Sequence, residues 1–307
     1  MSDEIAIRTI RLSKSFRGIR AVDGLDLEVK RGQVYGFLGP NGAGKTTTIR
    51  MLLGLIRPTD GDAELFGVSI RRDRLRALRR VGAMVETPAF YNHLTGRRNL
   101  ELLAALSGGA SRQRIDQVLT AVGLIGRDSD RVGTYSHGMK QRLGLANALV
   151  PDPELLILDE PSTGLDPEGL REIRRLIRRL GAEEGITIFL SSHLLHEVEQ
   201  TCSHVAMIRD GRLVASGSVA ELLGADKQEA TVVVDDARLA AEVLAREEYV
   251  QLDSVEDGRL RFRCEPKRFA DVNQALVARG LRVSALVPQR TSLEELYLKV
   301  IGHTDRP

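Results

Sequence analysis

The 307-residue sequence contains no tryptophan, two cysteines, and aromatic residues at only 4% of positions. Cys202 and Cys264 are far apart and lie in apolar-alternating segments, so we expect buried reduced thiols and neither a disulfide nor a metal site. No apolar run approaches the roughly 18 residues that span a bilayer, and the acidic N-terminus MSDEIAIRTI has no secretory signal. These absences predict a globular protein of the cytoplasm.

Charge is nearly balanced, with 44 basic and 42 acidic residues and a formal net charge of +2. This balance gives no general signal for nucleic acid, so we expect no nucleic-acid partner. Two arginine-rich stretches, residues 71–80 and 171–180, have helical patterns, and the second carries an apolar stripe. Both are predicted to be mainly solvated faces, with contact to anionic lipid or to a partner's acidic residues as the alternative for the first.

The first part of the chain, about residues 1–225, has the pattern of an α/β domain. Strand-like alternation to about residue 32 is followed by VYGFLGPNGAGKTTTIRMLLGL, which predicts a strand, a glycine-rich loop and a helix. The pattern is helical from about 95 to 150. Buried-strand runs then return as LLILDE and TIFLSS, which is typical of a parallel sheet covered by helices. A hairpin is predicted around Asp210-Gly211.

A second unit is predicted from about residue 226 to residue 307. Its pattern gives the order β-α-β-β-α-β, a ferredoxin-like plan. A last helix, SLEELYLKVIG, is expected to start at Ser292 with Glu295 three residues on. We interpret this unit as an accessory or regulatory domain.

The segment Gly39-Pro-Asn-Gly-Ala-Gly-Lys-Thr46 is a complete G-x-x-x-x-G-K-[ST] loop between a predicted strand and a predicted helix. Backbone amides of such a loop can surround phosphate oxygens. Lys45 would supply a charge to the β- and γ-phosphates, and the Thr46 hydroxyl can ligate Mg²⁺. The loop predicts binding of a nucleoside triphosphate.

Two adjacent acids, Asp159 and Glu160, end the buried strand LLILDE. A rigid strand would hold both carboxylates beside the phosphate loop. Asp159 could then hold Mg²⁺ through its water shell, and Glu160 could orient or deprotonate the attacking water. The alternative is an acidic pair in an ordinary turn at a strand end.

In this order and spacing, GPNGAGKTTT, LLILDEPSTGLDP and SSH resemble the ATP-binding cassette (ABC) ATPases over about residues 4–222. The resemblance implies an ABC core with an antiparallel β subdomain and a helical subdomain, hydrolysing ATP with Mg²⁺. It implies catalytic roles for Glu160, His193 and Glu86, and metal contacts from Thr46, Asp159 and Glu86. The implied nucleotide contacts are Phe16, Gly39, Asn41, Gly42, Gly44, Lys45, Thr46, Thr47, Ser136, Gly138 and Asp166.

The stretch YSHGMKQR, residues 135–142, taken alone predicts only a serine cap before a helix. The resemblance implies that it is the signature loop, which contacts the γ-phosphate of ATP bound to a second subunit. Ser136 and Gly138 match the family pattern. Tyr135, His137 and Met139 replace the family's leucine, glycine and glutamine.

Other site residues implied by the resemblance have structural alternatives. Phe16 matches the aromatic residue that stacks on adenine, and the alternative is a core phenylalanine. His193 matches the histidine that contacts the γ-phosphate, and the alternative is a structural histidine. Asp166 matches the loop that bridges the two sites of a dimer, and the alternative is a helix cap before Pro167.

Glu86, in VGAMVETPAF, occupies the place where the family has a glutamine. It could take the glutamine's role at Mg²⁺, or it could be a surface acid.

The segments AMVETPAFY, LTGRRNL, YSHGMKQRLG and TSLEELYLKV resemble the antibiotic-exporter branch of the family, of the bacitracin- or daunorubicin-resistance type. This implies a subunit that forms a head-to-tail homodimer and powers a separately encoded permease from the inner face of the cell membrane. The main alternative is a soluble ABC ATPase acting on a ribosome or DNA. Such proteins normally carry a second cassette or a long heptad insertion, and the sequence contains neither. A P-loop kinase would leave Ser136 and His193 unexplained.

Overall fold

The computed structural model describes residues 4–86, 88–106, 108–223, 228–256, 258–289 and 292–302, with side chains in the last segment to residue 298. Within these ranges no helix is long and apolar enough to cross a membrane. The chain divides into two compact units, Met1–Ser216 and Gly217–Pro307.

The first unit alternates strands and helices along the chain. Its strands are β1 (Ile5–Phe16), β2 (Ile19–Lys30), β3 (Val34–Leu38), β4 (Asp60–Leu65), β5 (Val68–Ser69), β6 (Val81–Met84), β7 (Leu155–Leu158), β8 (Thr187–Ser192), β9 (His204–Arg209) and β10 (Arg212–Ser218). Its helices are α1 (Lys45–Leu52), α2 (Arg74–Leu78), α3 (Gly96–Leu106), α4 (Arg112–Ala121), α5 (His137–Leu149), α6 (Pro167–Ala182) and α7 (Leu195–Thr201).

The central sheet has the order β10-β9-β3-β8-β7-β6 among the described residues. Strands β3, β7 and β8 are buried along their whole length, which explains their near-continuous apolar sequences. β8 runs parallel to both β3 and β7, and the register places Leu38 opposite Ser192 and Leu158 opposite Leu190. The residues that follow these three strands therefore meet at one edge of the sheet.

A smaller antiparallel sheet, β2-β1-β4-β5, packs on the central sheet. One apolar cluster contains Ile7 and Leu12 of this sheet together with Phe37 and Phe189 of the central sheet. The rings of Phe37 and Phe189 are 5.3 Å apart between centroids. Each fully buried phenylalanine stabilises the fold by about 1.5–3 kcal/mol. This cluster therefore stabilises the packing of the small sheet on the central sheet.

The predicted hairpin connects β9 and β10. Asp210 and Gly211 both have positive φ, 50° and 77°, as a type I′ turn requires. Asp23 of β2 pairs with Arg212 at 2.7 Å and with Arg20 at 2.6 Å. The Arg212 guanidinium, and then that of Arg20, hold the pKa of Asp23 below its ordinary value.

Between β6 and β7 the chain forms α3, α4 and α5, in the region where the sequence predicts helices. Tyr135 is buried just before α5 and donates its hydroxyl to the Arg127 carbonyl at 2.7 Å. A Cβ atom on Gly96 would lie 2.3 Å from the Tyr135 Oη. The glycine at the start of α3 therefore leaves the space that this tyrosine occupies.

The apolar stripe predicted for residues 171–180 is present on α6. Ile173, Leu176, Ile177 and Leu180 are buried, whereas Arg171, Arg175 and Arg178 are exposed. The helix therefore packs one face and exposes arginines on another, as predicted.

The second unit has the predicted element order β-α-β-β-α-β. Its elements are α8 (Val219–Leu222), β11 (Gln228–Val234), α9 (Ala237–Leu244), β12 (Gln251–Glu256), β13 (Arg259–Cys264), α10 (Phe269–Ala278), β14 (Val283–Gln289) and α11 (Leu293–Gly302). The strands form an antiparallel sheet in the order β12-β13-β11-β14. This unit has its own apolar core, which includes Val232, Phe262 and Leu276. Its boundary falls at Ser216, earlier than the predicted residue 225, because α8 contacts α11.

Both cysteines are buried free thiols, as predicted. Burial raises the pKa of the Cys264 thiol to about 11 and also raises the pKa of Cys202. Neither thiol is activated.

Candidate functional site

The carboxyl edge of the central sheet brings the predicted motifs together. The loop of residues 39–46 follows β3, the acidic pair follows β7, and His193 follows β8. They enclose a cavity of about 450 Å³. Its lining residues are Ala21, Pro40, Asn41, Gly42, Gly44, Lys45, Thr46, Thr47, Glu86, Asp159, Glu160, Thr163 and His193.

The loop after β3 needs glycine at positions where its backbone meets neighbouring carbonyls. A Cβ atom on Gly44 would lie 2.4 Å from the Ala21 oxygen, and one on Gly39 would lie 2.5 Å from the Ile208 oxygen. Gly44 also has φ of 105°, which favours glycine. The loop leads directly into α1, so the predicted order of strand, loop and helix is confirmed.

Lys45 is a buried cation, with its side chain only 6% exposed. Its Nζ donates to the carbonyls of Gly39 at 2.7 Å and Pro40 at 3.2 Å. The same atom lies 3.3 Å from Glu160 Oε1. The loop's own carbonyls therefore fix the ammonium group in the cavity, within reach of the acidic pair.

A serine for which no sequence motif predicted a role contacts both acids. Ser191, at the end of β8, donates its hydroxyl to Asp159 Oδ1 at 2.6 Å and accepts the Glu160 amide at 2.9 Å. Asp159 is almost fully buried. The parallel register of β7 and β8 therefore fixes the direction of both carboxylates.

Glu160 has a backbone conformation that is unusual for a non-glycine residue, with φ of 51°. Such a conformation costs about 1–3 kcal/mol and persists only where the surrounding structure holds it. Its Oε2 lies 2.7 Å from His193 Nδ1 and accepts the Thr163 hydroxyl at 3.1 Å. Three neighbours, Lys45, His193 and Thr163, thus fix this carboxylate.

Glu86 lies at the edge of the same cavity, in the left-handed region with φ of 61°. Its side chain is 62% exposed and pairs with Arg50 of α1. The sequence predicted either a role at Mg²⁺ or a surface acid for Glu86, and it did not predict the ion pair with Arg50. A metal ion bound by Glu86 would compete with Arg50 for the Glu86 carboxylate.

The turn at residues 136–138 lines a different cavity, of about 420 Å³. Ser136 caps α5 by accepting the Met139 amide at 3.2 Å, and Gly138 and Asp166 also line this cavity. His137 Nε2 lies 3.1 Å from the Thr163 carbonyl. Within one chain the turn and the phosphate loop therefore face separate cavities.

Asp166 does act as a helix cap, since its Oδ1 accepts the Gly169 amide at 2.9 Å at the start of α6. It also lines the cavity of the Ser136 turn. The cap and the predicted bridging role are therefore compatible.

Phe16, at the end of β1, is not a core residue, because it is 46% exposed. Lys14 Nζ lies 5.0 Å from its ring centroid. Phe16 does not line the 450 Å³ cavity, whereas Ala21 of β2 does. The ring is accessible to a planar ligand.

Gln141 is a further residue of the site that no sequence motif predicted. It is buried on α5 and donates its amide to the Pro161 carbonyl at 2.9 Å, next to the acidic pair. A polar residue on the buried face of a helix was the available signal. Through this bond α5 is joined to the loop that carries Glu160 and Thr163.

A phosphate loop beside a strand-end acidic pair, at the carboxyl edge of a parallel sheet, defines a P-loop nucleoside triphosphatase. The sequence model of the ABC transporter family matches residues 22–163 of this chain. Over 299 residues the chain is 43% identical to the bacitracin transport ATP-binding protein BcrA of Bacillus licheniformis, an alignment that covers 96% of this chain and 97% of that protein. The chain belongs to the ABC transporter family, as an ATP-binding and ATP-hydrolysing subunit.

Further relatives agree with this assignment. The daunorubicin/doxorubicin resistance ATP-binding protein DrrA of Streptomyces peucetius is 36% identical over 308 residues, covering 97% of this chain and 93% of that protein. Among solved structures, cbiO1 of Clostridium perfringens, described as part of the ABC transporter complex cbiONQ, superposes with a TM-score of 0.66 at 26% identity. That match covers 79% of this chain and 96% of cbiO1.

Proposed function

We propose that this chain is the ATPase subunit of an exporter and that it powers a separately encoded membrane permease. The observation that carries the ATPase part of the proposal is the cavity that contains Lys45, Asp159, Glu160 and His193. The names of BcrA and DrrA favour efflux of an antibiotic or another drug, lipid or peptide over work on a ribosome or DNA. The subunit would then lie in the cytoplasm, on the inner face of the membrane, through its permease.

In the proposed hydrolysis, a water oxygen attacks the γ-phosphorus while the bond to the β-phosphate oxygen breaks. Glu160 takes the proton of this water, and Lys45 balances charge on the phosphates. His193, 2.7 Å from Glu160, orients the carboxylate and contacts the γ-phosphate. The contacts of Glu160 with Lys45, His193 and Thr163 support this assignment, because they hold the carboxylate inside the cavity.

The donor set of the cavity fits Mg²⁺. Among the described residues, no cluster of three or more acidic, histidine or cysteine side chains could enclose a metal. Mg²⁺ is usually held by one or two carboxylates together with water and substrate phosphates, which matches Asp159 and the Thr46 hydroxyl, with Glu86 as a third candidate. Bound there, the ion would neutralise charge on the β- and γ-phosphates.

We propose that two copies of the chain pair head to tail. The turn of Ser136 and Gly138 would then contact the γ-phosphate held by the partner's loop, and Asp166 would bridge the two sites. The separation of the two cavities within one chain supports this arrangement.

The positions of the remaining residues support the other nucleotide contacts that we propose. Asn41, Gly42 and Thr47 line the cavity beside Lys45. Phe16, with its exposed ring, would stack on adenine, since stacking requires an accessible aromatic face. Gly39 acts through its carbonyl on Lys45.

For the second unit we propose a ferredoxin-like accessory or regulatory domain. Its strand order, which is fourth, first, third and second in chain order, supports this plan. Its separate core supports a domain that folds independently of the ATP site.

The proposed function is tested by purifying the native protein from membranes and identifying what accompanies it. An integral membrane protein in constant ratio to this chain is expected. Recovery with ribosomes or nucleic acid, and without such a protein, would favour the alternative.

A further inference from the structure

A third pocket, of about 520 Å³ and lined largely by polar groups, lies between the end of α1 and the start of α2. It is lined by Gly54, Ile56, Arg57, Pro58, Ile70, Arg71 and Arg74. These residues differ from those that line the nucleotide cavity. The pocket includes the start of the first arginine-rich stretch, which the proposed ATPase function leaves unexplained.

Backbone carbonyls hold two of the three arginines in place. Arg71 Nη1 donates to the Gly61 carbonyl at 2.8 Å, and Arg74 Nη1 donates to the Gly54 carbonyl at 3.1 Å. A Cβ atom on Gly54 would lie 2.5 Å from Arg74 Cδ, so glycine leaves room for this side chain. Each guanidinium has five N–H donors, and most of them are left for a ligand.

Within the described ranges, Arg57, Arg71 and Arg74 have no carboxylate oxygen within 4.0 Å. Neighbouring acids have other partners: Asp62 accepts the Ser69 hydroxyl at 2.6 Å, and Asp73 caps α2. The pocket is therefore lined by three guanidinium groups that form no direct ion pair with these acids. An anion in the pocket could pair with them, and the planar fork of arginine suits phosphate.

Two exposed leucines are next in sequence to residues that line the pocket. Leu55 is 61% exposed and lies between the lining residues Gly54 and Ile56, and Leu75 is 79% exposed and follows Arg74. Arginines beside exposed apolar side chains are typical of surfaces that lie on a membrane. A small soluble phosphate would not use the leucines, whereas a lipid would use both features.

We propose that this pocket binds the phosphate of an anionic phospholipid headgroup, with Leu55 and Leu75 entering the interfacial layer. Such binding would give the subunit a contact with the membrane surface that does not pass through ATP or a permease. It would also orient the first unit relative to the bilayer.

The test compares the full chain with two charge-matched double variants. Arg57→Gln with Arg71→Gln removes two pocket charges. Arg72→Gln with Arg76→Gln removes two exposed charges of the same stretch that do not line the pocket. Flotation with phosphatidylcholine vesicles, with and without phosphatidylglycerol, measures binding at about 0.15 M salt.

The wild-type chain is expected to bind only the vesicles that contain phosphatidylglycerol. The pocket variant should lose about 100-fold in affinity, because each of its two guanidinium groups would give up a charge-assisted hydrogen bond to phosphate, which contributes roughly tenfold. The control variant should lose clearly less, because Arg72 and Arg76 do not line the pocket and can act on the anionic surface only through general electrostatic attraction. Equal melting temperature and ATP turnover show that each variant is folded. Should the pocket pair unfold, Arg57→Gln alone is informative, because its guanidinium makes no hydrogen bond or ion pair among the described residues.

Three outcomes would overturn the proposal. If the wild-type protein does not bind the vesicles that contain phosphatidylglycerol, the pocket is not a lipid site. Equal losses in the two double variants would show diffuse attraction by the whole stretch. Binding of inorganic phosphate, detected by its effect on amide resonances of the pocket, without vesicle binding would assign a soluble ligand.

Discussion

His193 Nδ1 lies 2.7 Å from Glu160 Oε2, while the other oxygen of that carboxylate lies 3.3 Å from Lys45 Nζ. One carboxylate therefore joins the loop after β3 to the residue after β8. A phosphate that approaches Lys45 must compete with Glu160 for the Lys45 ammonium group. If the phosphate displaces Glu160, His193 would still hold the Glu160 carboxylate. This geometry makes the position of Glu160 sensitive to what the cavity contains.

Replacing Glu160 by Gln should leave ATP binding intact while turnover falls by about 10²- to 10⁴-fold, because shape is kept and the base is lost. ATP hydrolysis and equilibrium ATP binding are measured on the same preparations. Glu184→Gln, which changes an exposed acid after α6, serves as the control and should retain turnover. Unchanged turnover in the Glu160 variant would remove this residue from the mechanism.

Replacing Lys45 by Ala should weaken ATP binding itself, because the ammonium faces phosphate before and during the reaction. A hydrogen bond to a charged group contributes about 1.5–3 kcal/mol, which corresponds to a loss of roughly 10- to 100-fold in affinity. Calorimetric titration with ATP gives the affinity directly. Melting curves are the control, since the Gly39 and Pro40 carbonyls also lose their donor. A folded variant with wild-type affinity would contradict the assignment.

Replacing Glu86 by Gln should raise the Mg²⁺ concentration needed for half-maximal turnover, because one negative charge leaves an oxygen-lined cavity. Arg50→Gln is the matched control, since it breaks the same ion pair but leaves the carboxylate free for a metal. The two variants should therefore differ in their Mg²⁺ titrations. If both titrations equal that of the wild type, Glu86 is a surface acid.

Deleting residues 219–307 should leave a first unit that folds and binds ATP, because the cut follows the end of β10 and the two units have separate cores. The melting transition and the ATP affinity of the shortened chain are measured. In cells, the shortened chain should assemble less with the proposed permease, or support less export, than the full chain. A shortened chain that does not fold would show that the second unit is structural.

The sequence was sufficient to predict the motif residues of the site. Lys45, Thr46, Asp159 and Glu160 are recognisable because the motif order places them after buried strands, and parallel register brings such strand ends together. The apolar patterns also predicted the parallel sheet, the α6 stripe and the strand and helix order of the second unit.

The sequence was not sufficient to predict the bonds that orient these residues. Ser191 contacts Asp159 across 32 positions of the chain, and only the pairing of β7 with β8 makes them neighbours. The pairing of Glu86 with Arg50 likewise depends on how α1 approaches the end of β6. Long-range side-chain contacts of this kind leave no local periodicity.

The half-site at Ser136 and Gly138 can be tested by mixing two inactive subunits, one with Lys45→Ala and the other with Gly138→Asp. A Cβ atom at Gly138 would have 3.6 Å to Leu165 Cδ2 as its shortest contact, so the second change adds a carboxylate without a backbone clash. That carboxylate would repel phosphate. Neither homodimer should trap ATP.

If the Ser136 turn acts across the interface, the mixed dimer collects both defects in one site. The other site then combines an intact Lys45 loop with an intact turn, and one ATP should be occluded per dimer. If the turn serves its own chain, each site keeps one defect and trapping stays absent. Occlusion in isolated heterodimers is the measurement, because hydrolysis could need both sites to work. Heterodimers that form but occlude no ATP would therefore refute the action of this turn on the partner's nucleotide.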